Sequence, residues 1–236
     1  MQVISEDHLT VDVSYDSGPH TYTTARVATR YAFVIVRVLV DPKDPQDLQQ
    51  AHRLQDRIEI EQASAGRFEI PRWDPASQAK ARNALSALGS LGSIRDAFGS
   101  RDEVDPIDHL VGTATGWGGN PRSAAVYMDN HPKRNDGSTV HTLTVKDVPV
   151  DGFWSISVYD AKGYFARNVL NAYSLNSLTA KPSADGSYSI RFGACGNGLP
   201  NCLPITPGWN YTVRLYRPRP EIVDGTWIFP AAQPVH

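Results

Sequence analysis

Two acid–histidine clusters are the residues of this chain best suited to chemistry. Glu6-Asp7-His8 ends a strand-like segment, and Asp105-Pro106-Ile107-Asp108-His109 opens a turn. Neutral imidazole beside carboxylate oxygens suits a divalent metal, or a histidine that its neighbour orients as a general base. Adjacent residues on a strand point to opposite faces, so Asp7 and His8 share one ion only in a loop conformation. The plainer reading makes both clusters solvated turn residues with a capping Asp. His141 is the third candidate. If Leu143 and Val145 face inward, so does His141, as a buried base or as a hydrogen-bonded wall residue.

Binding candidates are more widely spread. Gly116, Gly118 and Gly119 frame Trp117, which implies a backbone bending closely around a large ring. That ring either stacks on a ring-shaped ligand or anchors the core, and Asn120 beside it joins the candidate list. Tyr164, Asn168, Asn171 and Tyr173 combine donors, acceptors and aromatic faces, a mixture suited to sugars and other polyols. The same residues serve to satisfy backbone groups in long irregular loops. Ser155, Ser157 and Tyr159 occupy the polar side of one strand, with Arg191 and Arg214 on neighbouring candidates. An arginine pair within a sheet would hold a carboxylate or phosphate bidentately. The alternative is a solvated face with cross-strand Arg, Tyr and Ser contacts. Arg214 or Arg30 would orient an anionic group of a small polar substrate.

Several classes are disfavoured. Neither G-x-S-x-G nor H-E-x-x-H occurs, nor a Walker A loop, nor G-x-G-x-x-G. The pairs Gly89-Ser90, Gly92-Ser93 and Gly99-Ser100 lack the glycine spacing of a nucleophile elbow. A net charge of −2 argues against a nucleic-acid partner, because no large positive field exists. No apolar run approaches the roughly 20 residues that span a bilayer. Cys195 and Cys202 enclose six residues of a Gly/Pro/Asn-rich loop, which suits a small disulfide-closed loop, with two inert thiols as the alternative.

The elements that must position these residues are mostly strands. Trp154, Ile156 and Val158 alternate with Ser155, Ser157 and Tyr159, giving a strand with one dry face. Val140–Val145 alternates likewise, and the two segments read as a hairpin. Ser187–Phe192 and Trp209–Tyr216 extend the pattern, with Tyr211, Val213 and Leu215 inward, and Asp-Gly pairs make the turns. Short strands are expected within residues 1–40, the longest being Arg30–Val40. Pro42 and Pro45 stop it, and Asp44 caps a helix with Leu48, Ala51, Leu54 and Ile58 on one face. A second helix runs from about Pro75 to Leu88, with Ala79, Leu85 and Leu88 toward the core. Gly89, Gly92 and Gly99 punctuate the stretch that follows.

Thr115-Gly-Trp-Gly-Gly-Asn-Pro121, VDGFWSISVYD, Asn171-Ala-Tyr-Ser-Leu175, LPITPGWNYTVRLYRPRPEI and DGTW resemble the Domain of Unknown Function 1214 module. The likeness covers roughly the last half of the chain. Tyr31 to Asp56, with LVDPKDPQDLQQAHRLQD, looks like the end of that module's usual companion, Domain of Unknown Function 1254. The resemblance implies a mainly β fold with a helical linker: a partial immunoglobulin-like sandwich over 1–40, a helical region over 41–112, and a C-terminal jelly-roll β-sandwich over 113–236. Residues like MQVISEDH sit inside the first module of that family, so the resemblance implies that Met1 is an internal methionine. The segment itself carries no secretion signal. Family members are often exported, which implies a periplasmic or secreted full-length form and an oxidising surrounding for the two cysteines.

The function expected from the sequence is hydrolase-like, using acid–base or metal-assisted chemistry where the linker meets the jelly roll. His109 or His8 would be base or ligand there. The alternative is a non-enzymatic carbohydrate- or ligand-binding, or assembly, protein. A homo-oligomer would follow if the sheet edge within residues 1–40 recruits another subunit.

Overall fold

Asp-Pro pairs start three helices. Asp44, Asp74 and Asp105 are the N-caps and Pro45, Pro75 and Pro106 the first helical residues, where proline's missing N–H costs nothing. Each cap carboxylate accepts a backbone N–H of the first turn, Asp105 from both Ile107 and Asp108. The structure, a computed structural model, describes residues 1–41, 44–91, 94–196 and 198–235. Pro42, Gly92 and Ser93, which the sequence marks as a strand stop, a loop glycine and half of a Gly-Ser pair, lie outside the described residues. The chain divides into two units, Met1–Arg122 and Ser123–His236. Together they make a mixed architecture of helices and several mostly antiparallel sheets.

The first unit holds strands β1 (Gln2–Ser5) and β2 (Thr10–Val13), the single turn α1 (Thr24–Val27), and strand β3 (Ala32–Ile35). Helices α2 (Pro45–Gln55), α3 (Pro75–Gly89) and α4 (Pro106–Thr115) follow. The sheet order is β2-β1-β3, so β1 is central and wholly buried. The long strand expected over 30–40 forms ladder bonds only at Ala32–Ile35, and β3 is largely exposed. The apolar helix faces read from the sequence are only partly covered. Ala51 is buried, Leu48 and Leu54 are exposed, Ile58 lies past the helix end, and α3 has no buried residue. Amphipathic spacing marks a face that can be buried, but it supplies no neighbour to bury it.

The second unit holds strands β4 (Ala125–Asn130), β5 (His141–Val145), β6 (Trp154–Tyr159), β7 (Ser174–Asn176) and β8 (Tyr188–Phe192). It continues with β9 (Cys202–Leu203), β10 (Asn210–Tyr216), the turn α5 (Pro220–Val223) and β11 (Gln233–Pro234). One sheet runs β4-β10-β6-β7, the other β11-β5-β8-β9. Their buried side chains form one cluster that includes Leu143, Trp154, Ile156, Ile190, Trp209 and Leu215. The inward positions expected at Tyr211, Val213 and Leu215 are at most 1% exposed.

The expected hairpin of β5 and β6 does not form. β5 pairs with β8 and β11, whereas β6 pairs with β10 and β7 in the other sheet. Period-two alternation specifies which side of a strand is dry, not which strand lies beside it. The connection swings away at Pro149-Val150, where Val150 bridges to Pro218. Cys195 and Cys202 are bonded, with Cα atoms 5.6 Å apart. That bond ties β9, the sole parallel neighbour in its sheet, to the end of β8.

Candidate functional site

The two histidines of the acid clusters meet in the first unit, with ring centroids 6.3 Å apart. His8 lies in the tight turn between β1 and β2, closed by His8 N–H to the Ser5 carbonyl and Leu9 N–H to Ser5 Oγ. Its φ of 65° is in the left-handed region, uncommon for a residue with a Cβ. The ring stacks on Trp117 at 5.7 Å and meets the edge of Phe98 at 5.5 Å. His8 Nε2 accepts the Gly118 N–H at 2.9 Å, which makes Nε2 the unprotonated nitrogen. The next residue of this loop, Gly119, packs so closely on Phe98 that a Cβ would overlap its ring. Gln2, 3% exposed, donates to the Gly119 carbonyl. The glycine frame thus bends the backbone around Phe98 and His8, leaving Trp117 61% exposed.

His109, on α4, directs Nδ1 at the Ala97 carbonyl (2.8 Å) and Nε2 at the Asp7 carbonyl (3.1 Å). Both nitrogens therefore face backbone acceptors. The carboxylates adjacent in sequence are engaged elsewhere. Asp7 faces Arg101 at 3.5 Å, and Asp108 accepts the backbone N–H groups of Arg95 and Asp96. The histidines brace three chain segments, and neither offers a nitrogen lone pair beside a carboxylate. Among the described residues no group of three or more His, Cys, Asp or Glu side chains is placed to hold a metal ion.

Burial lowers the His8 pKa below its ordinary 6.5, and the charge of His109 adds to the effect. Below about pH 6.5 the unfolded chain takes up a proton that folded His8 resists, so the first unit loses stability as pH falls through that value. A protonated Nε2 also cannot accept from Gly118. His8→Asn, which tolerates the left-handed backbone, should flatten this loss between pH 7 and 5. Urea midpoints of both proteins across that range check it, and equal losses would remove His8 as the cause.

The second unit brings together a different set. On the outward side of β10, Arg214 donates to Ser157 Oγ (3.0 Å) and to the Tyr159 hydroxyl (2.7 Å), both on β6. These are the cross-strand contacts that the sequence offered as its plainer reading. No carboxylate of the described residues lies within 4 Å of this half-buried guanidinium. Arg191 is on β8, in the other sheet, where its Nε donates to the Gly193 carbonyl, so the expected arginine pair within one sheet does not exist. Register places Ser155 and Tyr127 on either side of Arg214, and Ser157 and Asp129 on either side of Thr212. Ser174 lies beyond Ser157, and Asn176 beyond Ser155. Sequence reasoning missed Tyr127, Asp129, Thr212, Ser174 and Asn176. The alternation within 125–130 carries the signal, but only register shows which positions adjoin Arg214.

Tyr159 stacks on Phe165 at 5.0 Å, and Phe165 lies 5.5 Å from Tyr173. Tyr159, Asn168, Tyr173 and Thr206 line a small surface depression. Asn168 braces its own loop, donating to the Ala166 and Ala172 carbonyls and accepting from the Leu170 and Ala172 N–H groups. Asn171, at φ 48°, accepts from the Tyr173 hydroxyl at 3.4 Å, and Tyr164 is 71% exposed. His141 is 1% exposed, with Nδ1 on the Thr139 carbonyl and its ring edge-on to Trp209, the pattern of a wall residue. Arg30 pairs with Glu69 on the surface of the first unit, and Asn120 is half-buried.

Residues 122–220 match the family described as "Protein of unknown function (DUF1214)". The DUF1214 stretch contains both four-stranded sheets except β11, and with them Arg214, Ser157, Tyr159 and the cysteine loop. No curated protein matches the chain. Among solved structures, the VPA0106 protein from Vibrio parahaemolyticus is 22% identical with a TM-score of 0.54, covering 90% of this chain and 61% of that one. That likeness concerns the fold, and the chain spans less than two thirds of the Vibrio protein's length. An uncharacterised protein from Burkholderia cenocepacia is 18% identical with a TM-score of 0.38, covering 50% of this chain and 31% of that one.

Proposed function

We propose that the chain is a binding protein for a small anionic or polar molecule, held on the DUF1214 stretch with Arg214 as its anchor. One observation carries this reading: a half-buried guanidinium on a central strand, held by two hydroxyls and, among the described residues, with no carboxylate within 4 Å. A buried or half-buried arginine ordinarily finds an anionic partner, because desolvated charge is costly. Its fork geometry suits a carboxylate or phosphate. The hydrolase reading rests on the meeting of His8 and His109, whose ring nitrogens contact the backbone. Binding is therefore favoured over acid–base or metal-assisted catalysis.

The same proposal takes the two sheets as the leaves of a jelly-roll sandwich, supported by their single shared core. It takes residues 31–56 as the end of a companion module, with an immunoglobulin-like first sheet. It takes the full-length protein as exported, supported by the disulfide. The exposed edge strand β3 supports self-association, since unpaired strand edges recruit others.

Arg214→Met keeps the aliphatic stem and removes the fork. Calorimetric titration with succinate and with inorganic phosphate should show binding to the native protein that weakens at least about tenfold in the variant, near 1.4 kcal/mol. Equal affinities with an unchanged circular dichroism spectrum would end the proposal.

A further inference from the structure

We infer that the ligand of the Arg214 face is a hydroxylated carboxylate, a sugar acid, lying obliquely across β6, β10 and β4. The inference rests on the anion-binding reading above and goes further by naming the ligand class. Ser157 Oγ and the Tyr159 hydroxyl each use a lone pair on Arg214, so their own protons remain to be donated. Among the described residues neither proton has a protein acceptor. Those two hydroxyl protons, with the guanidinium N–H groups not spent on Ser157 and Tyr159, suit an acceptor-rich, negatively charged group.

The opposite chemistry stands one strand over. Thr212 Oγ1 donates to Asp129 Oδ1 at 2.6 Å, which leaves Oδ2 to accept from a ligand hydroxyl. Thr212 is directly opposite both Asp129 and Ser157, and Arg214 sits one outward position further along β10. Asp129 and Arg214 are therefore diagonal neighbours, positions roughly 7–8 Å apart in an antiparallel pair, and the guanidinium turns toward Ser157 and Tyr159 on β6 rather than toward Asp129 on β4. A ring bearing a carboxylate at one end and hydroxyls at the other bridges that gap. A plain carboxylate leaves Asp129 unused, and a neutral sugar leaves Arg214 unused. Tyr159 is stacked on Phe165 and has the Arg214 guanidinium over its ring, so the half-exposed Phe165 is the aromatic ring beside this face that could pack against the C–H face of a sugar.

Three probes of one ring size separate the contributions: galacturonate, galactose and cyclohexanecarboxylate. Each is titrated into the native protein, Arg214→Met and Asp129→Asn. Galacturonate should bind at least tenfold more tightly than either other probe. Asp129→Asn should remove most of that advantage over cyclohexanecarboxylate while leaving cyclohexanecarboxylate itself unchanged, and Arg214→Met should weaken both acids. If the two acids bind equally and both depend on Arg214, the anion site stands and the sugar-acid inference falls. If neither acid responds to Arg214→Met, both fall together. A trigalacturonate arm tells the source: tighter binding than the monomer marks an acidic glycan, equal binding a free sugar acid, and either outcome supports the ligand class.

Discussion

Replacing Trp209 by alanine is expected to destabilise the Ser123–His236 unit by about 3–5 kcal/mol, a large share of the roughly 5–15 kcal/mol that holds an ordinary domain folded. The ring is 0% exposed, stacked on Phe192 at 5.2 Å, against Tyr211 at 5.9 Å and edge-on to His141 at 5.3 Å. Alanine would leave a cavity lined by three rings that cannot close around it. Trp209 Nε1 has no acceptor among the described residues, so part of the burial gain is offset by an unmade hydrogen bond. Trp209→Phe removes that donor and keeps most of the apolar volume, and should cost under about 2 kcal/mol. Urea unfolding followed by far-ultraviolet circular dichroism distinguishes the two. An alanine variant within about 1 kcal/mol of the native protein would show that the ring does not anchor this core.

Gly137→Ala should be the next most damaging change, at about 3 kcal/mol, from backbone strain together with overpacking. Gly137 has φ 81°, and a Cβ there would stand 2.5 Å from Pro207 N and 2.7 Å from the Thr206 carbonyl carbon. Neither is the end of a flexible side chain, so one turn must move. The approach is enforced from both sides. Gly208 N–H donates to the Asn135 carbonyl, and Asn135 Nδ2 to the Trp209 carbonyl. Asp136 accepts from the Thr139 N–H and hydroxyl and from the Ser138 N–H, bonds that hold its carboxyl well below the usual carboxylate range. Gly186 is the control, since its φ is 83° but a Cβ there meets nothing within 4 Å. Gly186→Ala should cost only about 1 kcal/mol, from strain alone. Equal losses at the two sites, compared by thermal unfolding, would show that the close approach at Gly137 is not responsible.

The strands of the second unit were legible because each leaves one face dry. Trp154, Ile156 and Val158 are buried in the alternation that their sequence announces, as are Tyr211, Val213 and Leu215. Partner choice was not legible. β5 and β6 each carry a pattern compatible with many neighbours, and the connection containing Pro149, which has the look of a reversal within one sheet, leads to the other sheet. The helix starts at Asp44, Asp74 and Asp105 follow from local chemistry alone, while the cover over their apolar faces depends on tertiary packing that no spacing encodes. In the candidate sites, residue types were visible and distances were not. His8 and His109 stood out for neighbouring carboxylates that turn out to serve Arg101 and the backbone of residues 95 and 96. Arg214, Ser157 and Tyr159 were recognisable as one polar face, but the role of Asp129 emerges only from the register of β4 against β10.

The cysteine bridge has a bearing on how the sheet margin is guarded. β9 contributes two residues, paired in parallel with Arg191 and Phe192 after a connection of nine residues, short of the dozen or more that parallel neighbours usually require. Two ladder positions, the fully buried Leu203 side chain and the Asn201 hydrogen bonds to Lys181 and Ser189 hold this short piece along β8, and the covalent tie adds to them. Reduction would remove that tie, and any loosening of β9 would bare the flank of β8 as a template for strands from other molecules. Oxidation would then act here as a guard against clumping as much as a source of rigidity.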